Sequence, residues 1–335
     1  MKRLPAALLG IMLTLGIDAL GAFAQIAPDQ DSLKGAGFTG DNLYAIGFAL
    51  KEMNPVTAAH SDMAARALRA SAALGNANAF TLLAEMYLGD RIPLENGENS
   101  VQEALKYMNL AWDKGSPAGY FDLGLLYYNV AIPGVSEETA RGATVSFVPR
   151  DYDKAFHYFV AACEKGNGKA CRWTAICYEQ GTGTTQDFKK AAQTYERAGR
   201  DGTARVLLAN LLVAGKGIGQ DVPRALTLYQ AEIDRNGLDT GVAAYAVGLI
   251  YEKGTEVKAD KKKAIEYYEI AVAHGNLDAK PAVENYASGL YRDSSALLRA
   301  GKCESALPLL VKAADLGNAD ALKITGKNSS FAERK

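Results

Sequence analysis

The sequence predicts an all-α solenoid built from repeated helix pairs. Three observations predict it. Small residues recur in a fixed frame ahead of a row of glycines; a second row of small residues precedes a row of tyrosines; and the composition, with 10 prolines in 335 residues, suits helix throughout. At that length the chain can bury a large core, and 48% apolar with 22% charged residues is ordinary for a globular protein. The formal charge of −1 supplies no basic tract, so no nucleic acid partner is expected.

The glycine frame comes first. Gly75, Gly115, Gly166, Gly202, Gly275 and Gly317 are each preceded, eleven positions back, by Ala64, Ala104, Ala155, Ala191, Ala264 and Ala306. Four positions back stand Ser71, Ala111, Ala162, Ala198, Ala271 and Ala313. Gly237 marks one more unit, with its Ala225 shifted by one residue. Each of these glycines is expected to close a helix in the left-handed conformation.

The tyrosine frame follows each glycine. Tyr87, Tyr127, Tyr178 and Tyr251 have Ala84, Gly124, Ala175 and Gly248 three positions before them, and Ala79, Gly119, Ala170 and Ala243 eight before; Ala204, Ala209 and Leu212 repeat the pattern. These spacings put the residues on one helical face. Two helices per unit result. The first carries small residues where a neighbouring backbone is expected to approach closely. The second carries an apolar stripe with an aromatic pair or its like: Tyr107-Met108, Tyr158-Phe159, Tyr267-Tyr268. Gly-rich turns such as Gly181-Thr-Gly183 and Gly215-Lys-Gly217 join them. No unit buries its apolar face alone, so neighbours must stack.

Units such as RWTAICYEQGTGTTQDFKKAAQTYERAGRDG and VGLIYEKGTEVKADKKKAIEYYEIAVAHG resemble the Sel-one-like repeat, a relative of the tetratricopeptide repeat. The resemblance runs from Asp41 to Lys323 and implies an all-α, right-handed superhelical solenoid of about seven helix-turn-helix repeats. Distances between closing glycines are 40, 51, 36, 35, 38 and 42 residues, and the long one contains an insertion, residues 129–150, between its two helices. Residues 25–40 and 324–335 are polar and expected to be flexible ends.

The N-terminus reads as a secretory signal, residues 1–24. Met1-Lys2-Arg3 is basic, Leu4 to Leu15 is apolar, and Ala22 and Ala24 are the small residues before a cleavage point at Gln25. A membrane anchor or a buried helix is the competing reading, but the run is short and broken by glycine. The first cysteine, Cys163, lies too far on to carry a lipid at that point. The expected location is the periplasm, with secretion as the alternative, and no later segment reaches membrane-spanning length.

Cysteine pairs persist in such compartments. Cys163 and Cys171 flank the Gly166-Asn-Gly168 turn, where the chain reverses between two helices. A structural disulfide is the leading reading. Zinc is the alternative, with no other cysteine or histidine at ligand spacing. The segment ACEKGNGKAC also resembles the bridged motif of the cysteine-rich subgroup of these repeat proteins, which there recurs in every repeat and here occurs once. Cys177 and Cys303 read as thiols, a long-range or intermolecular bridge being the alternative.

Catalytic signals are absent. His60, His157 and His274 are scattered, and Gly215-Lys-Gly217-Ile-Gly219 lacks the preceding strand and Lys-Ser/Thr ending of a phosphate loop. Some cysteine-rich members of the family are described as penicillin-binding or weakly β-lactam-hydrolysing, but the chain has no Ser-x-x-Lys and no Lys-Thr-Gly. No catalytic residue, metal or cofactor is assigned.

A binding role falls to the first helices, which line the concave wall of such solenoids. Opposite the signature tyrosine, two and five positions before it, stand Glu85 and Leu82, Leu125 and Asp122, Ile176 and Trp173, Asn210 and Leu207, Leu249 and Ala246. Inter-repeat packing explains the Leu and Ile. Glu85, Asp122, Trp173 and Asn210 are the candidate binding residues, although Trp173 reads first as core and second as an interface anchor. Phe147 and Arg150 of the insertion are the other candidates. The expected partner is a protein or extended peptide, with a glycan as the alternative.

Overall fold

A computed structural model of the chain describes residues 33–34, 37–53, 57–89, 91–92, 100–128, 150–254 and 256–326. The predicted signal segment 1–24, nearly all of the insertion and Phe147 lie outside them. Every regular element among the described residues is helical. Two compact units are formed, Met1–Asp187 and Phe188–Lys335, so the boundary falls inside one sequence repeat.

The first unit holds α1 (Gly40–Lys51), α2 (Ala58–Ala73), α3 (Ala77–Leu88), α4 (Ser100–Asp113), α5 (Pro117–Tyr128), α6 (Tyr152–Glu164) and α7 (Gly168–Gln180). The second holds α8 (Phe188–Arg197), α9 (Gly202–Ala214), α10 (Val222–Arg235), α11 (Thr240–Lys253), α12 (Lys261–Ala273), α13 (Lys280–Arg299), α14 (Cys303–Asp315) and α15 (Ala319–Thr325). Helices pack as hairpins: α1 with α2, α3 with α4, α5 with α6, α9 with α10, α11 with α12, and α13 with α14. Each second helix then packs on the next first helix, as α2 on α3 and α10 on α11.

The rows read from the sequence become the seam of each hairpin. Four residues after the conserved-frame alanine stand Leu68, Met108, Phe159, Tyr195, Tyr229, Tyr268 and Leu310, all buried. The small residue three before the signature tyrosine is the socket for this side chain. A Cβ on Gly124 would overlap the Phe159 ring, and one on Gly248 would overlap the Tyr268 ring. The expectation that small residues admit a neighbouring backbone is thus corrected at both positions: they admit an aromatic ring. The residue just before the ring stacks on the signature tyrosine, Tyr107 on Tyr87 at 5.4 Å, Tyr158 on Tyr127 at 5.7 Å and Tyr267 on Tyr251 at 5.9 Å. Lys154 and Lys263 lie over Tyr127 and Tyr251 at 5.2 and 4.8 Å.

The link between the two helices is closed by a recurrent backbone bond. The N–H of the residue ahead of the second helix donates to the carbonyl of the signature position: Asp187 to Tyr178, Asp221 to Leu212, Asp260 to Tyr251 and Asp151 to Tyr127, at 2.8–3.1 Å. The side chains of Asp151, Asp221 and Asp260 cap their helices. The first three links span nine positions and the fourth spans twenty-four, so the insertion leaves and re-enters the stack at the same bond.

Two of the expected closing glycines are not closers. Gly75, Gly115, Gly166, Gly275 and Gly317 have φ between 75° and 93°. Gly202 instead begins α9, and Gly199, at φ 62°, closes α8. Gly237 yields the left-handed position to Asn236 at φ 53°. Both glycines instead face Glu232, which stands where the other repeats carry the second alanine or serine. Its carboxylate is 2% exposed by residue, and Arg205 Nη1 lies 3.9 Å from its Oε2. A Cβ on Gly202 would come within 2.5 Å of both carboxylate oxygens, and one on Gly237 would overlap Oε1. These glycines make room for a carboxylate.

Cys163 and Cys171 are bridged across the α6–α7 turn with Cα atoms 4.5 Å apart. Cys177 is a buried thiol that burial pushes up to about 12, and Cys303 is an exposed one.

Two outcomes follow. Gly202→Ala is expected to destabilise the chain by about 1–3 kcal/mol through overpacking, and to become neutral or stabilising in a Glu232→Ala background; urea unfolding of the four proteins reads the sign change. Replacing both Cys163 and Cys171 by serine is expected to lower unfolding free energy by roughly 2–3 kcal/mol, and dithiothreitol should shift the wild type but not the double variant.

Candidate functional site

The predicted row on the first helices divides into packing positions and polar positions. Leu82 and Leu125 are buried, as inter-repeat packing requires. Two polar members, Glu85 and Asn210, are held by buried side chains of neighbouring helices. Sequence reasoning missed those supports.

In the first unit Lys51, 5% exposed at the end of α1, donates to Glu85 Oε2 on α3 at 2.5 Å. Lys51 also lies 3.5 Å from Glu52, and Arg91 donates to the Lys51 carbonyl at 3.0 Å. Burial nonetheless pushes the Glu85 carboxyl above its usual range, outweighing Lys51. Asp122 on α5 is 4% exposed. Burial first and the nearby Glu85 second hold its carboxyl well above the ordinary range, against the weaker pull of Lys51 and Lys169. Glu85 and Asp122 are therefore brought together, on adjacent first helices that pack directly.

Trp173 is half-buried within an aromatic cluster. Its ring stacks on Phe159 at 5.6 Å and meets Tyr128 edge-on at 5.1 Å. Tyr128 in turn meets Tyr152 at 5.0 Å, with the guanidinium of Arg150 over the Tyr152 ring at 5.6 Å. Arg150 is exposed and stands at the re-entry point of the insertion.

In the second unit Tyr229, 1% exposed, donates its hydroxyl to Asn210 Oδ1 on α9 at 2.5 Å. Burial raises the phenol above its usual value, so it stays a donor. In the next repeat the equivalent Tyr268 donates to Glu252 at 2.6 Å, and its hydroxyl too is raised, by burial and then by Glu252. The signal for both was available: a tyrosine in the buried row needs a hydroxyl partner. Asn210, Val213, Ala246, Leu249, Ile250 and Lys253 line a cleft of 230 Å³ between α9 and α11, with Tyr229 contributing to its wall. Three of these, Asn210, Ala246 and Leu249, belong to the row read from the sequence.

A second cleft, of 450 Å³, lies between α10, α11 and α12. Its polar groups are spent on one another. Tyr267 donates to Gln230 Oε1 at 2.9 Å, and Gln230 Nε2 donates to Asp234 at 2.8 Å. Among the described residues no cluster of histidine, cysteine, aspartate and glutamate could hold a metal ion, and no helix is long and apolar enough to cross a membrane.

Comparison with known proteins matches this architecture. The Sel1 repeat family matches residues 140–167, 168–203, 202–231 and 241–276. The Sel1-repeat-containing protein YjcO of Escherichia coli K12 is 29% identical over 126 residues. That match takes in 37% of this chain and 55% of YjcO, so the chain spans about half the length of the curated relatives it matches. Among solved structures, c5321, a protective antigen present in uropathogenic Escherichia coli strains and displaying an SLR fold, superposes with a TM-score of 0.57 at 23% identity, over 88% of this chain and 59% of that one. A Sel1 repeat protein from Oxalobacter formigenes gives 0.55 at 21% identity, over 74% and 89%. These likenesses fix the fold. The sequence thus carries four copies of the Sel1 repeat, and the helix hairpins stack in the fold of the solved Sel1-repeat structures.

Proposed function

We propose that the protein is a non-enzymatic adaptor of the periplasm or the extracellular space, and that it holds another protein, as an extended segment, on the face of its first helices. The observation that carries this reading is the support of the polar row from beneath. Lys51 fixes Glu85 and Tyr229 fixes Asn210 within that row, and Tyr268 fixes Glu252 one position past the signature tyrosine. Side chains immobilised before binding lose little further entropy on contact, which favours recognition.

The location rests on the bridged Cys163 and Cys171, a form that persists in oxidising compartments, and on the basic, apolar and small-residue order of the N-terminal segment. Trp173, on which a glycan reading rested, has its ring against Phe159 and Tyr128.

Site-specific photocrosslinking from envelope extract tests the face. A benzoylphenylalanine at Leu249 or Leu207 is expected to capture a protein that one at Lys189 or Lys262, on second helices, does not. Capture only from the second helices would overturn the reading. The buried carboxyls make a second, independent outcome. Asp122 and Glu85 are raised in the folded chain, so between the unfolded carboxylate values of about 4 and the raised ones the folded state retains protons that the unfolded state has released. Stability contributed by these protons is full below that window and is lost as pH rises through it. The melting temperature of Asp122→Asn is therefore expected to gain on the wild type as pH is raised from 4 to 8; a constant difference between the two would remove the buried ionisation.

A further inference from the structure

Four charged side chains link the first helices of the first unit in a series. Lys51 ends α1, Glu85 stands three residues from the end of α3, Asp122 six residues from the end of α5, and Lys169 second in α7. Their signs run plus, minus, minus, plus. The series is satisfied at one end only. Lys51 donates to Glu85 at 2.5 Å. Lys169 pulls on Asp122 electrostatically but is exposed and forms no ion pair with it. Asp122, 4% exposed, has no hydrogen bond or ion pair with any described residue. The helices α4 and α6, which also pack on α5, bring no charge to it. A buried carboxyl without a partner costs free energy, so this position holds an unmet demand for a donor.

We propose that Asp122 and Glu85 form the subsite for one lysine or arginine side chain of the docked segment, whose ammonium or guanidinium supplies the positive charge that the series lacks. Charge complementarity selects a cation: two neighbouring carboxyls share one paired ammonium, Lys51. Two carboxyls fall short of the oxygen count that a hard metal ion needs, and no larger cluster of metal-binding groups exists among the described residues. Depth selects a side chain. A carboxyl this recessed is met by a charge on a long, slender stem, which buries its methylenes while the backbone stays outside. An α-amino group sits on the backbone itself and does not reach. Burial and Glu85 keep the proton on Asp122 in the free protein at pH values below its raised range, and an arriving cation makes the carboxylate the favoured form. Binding thus converts a carboxylic acid and a cation into an ion pair and one proton released to solvent, and affinity rises with pH.

This inference rests on the first-helix face being the docking face, and its test separates the two. The probe is an array of short random peptides in three forms: unmodified, with lysine side chains acetylated and arginine replaced by citrulline, and with only the N-terminal amine acetylated. The oxidised full chain is applied to it. Bound peptides are expected to contain lysine or arginine, to weaken on the order of tenfold or more when the side-chain charge is removed, and to be indifferent to acetylation of the N-terminus. Calorimetry of one bound peptide in buffers of different ionisation enthalpy should register proton release. Asp122→Asn keeps the shape and breaks no hydrogen bond, so it should fold as the wild type does, weaken binding by a similar factor and diminish the proton release. Peptides that bind equally without side-chain charge, or that depend on the N-terminal amine, overturn the subsite. Where they still crosslink to the first helices, the docking face stands without it. Free spermidine held as tightly as the best peptide overturns the polypeptide as the source of the cation. Retention of no peptide, or binding untouched by Asp122→Asn, overturns the assignment as well.

Discussion

One contact recurs and the rest of the structure depends on it: a large side chain of each second helix lodged in a notch on the first. Gly124 receives Phe159 and Gly248 receives Tyr268. Burying a ring of that size is worth on the order of 2–3 kcal/mol per repeat, and it sets the separation of the two helices. The neighbouring residue is then placed to stack on the signature tyrosine, as Tyr158 does on Tyr127. In these two hairpins the pair fixes the register, because sliding either helix by one residue would put the ring against a side chain in place of a glycine.

The seam also explains the polar row. A tyrosine lodged in the notch of the first helix projects its hydroxyl through to the far face. Where the row supplies Tyr229 and Tyr268, that hydroxyl emerges beside Asn210 and Glu252. Where it supplies Phe159 or Met108, no hydroxyl arrives. The choice of Tyr against Phe at this buried position thus decides whether a first-helix polar side chain gains a hydrogen bond from the seam.

The repeat frame, the hairpin pairing and the Cys163–Cys171 bridge were legible in the sequence, because spacing alone places small and large residues on facing helices. Gly202 and Gly237 were misread for a physical reason. A glycine that closes a helix and one that clears space for a carboxylate look alike in a string, and only the position of Glu232 tells them apart. Asn210 and Glu85 are candidates picked by their helix face; the residues that hold them, Tyr229 and Lys51, were not singled out. Burial of Lys51 follows from its place at the end of α1 against α3, which periodicity within one helix does not reveal.

The bond from Asp151 to the Tyr127 carbonyl has a consequence for the fifteen additional residues it encloses relative to the other links. Widening a loop from nine to twenty-four positions raises its closure entropy by only about 0.9 kcal/mol. The junction therefore accepts a change of loop length at little cost in closure entropy, because the Asp151–Tyr127 bond joins its two ends in either case.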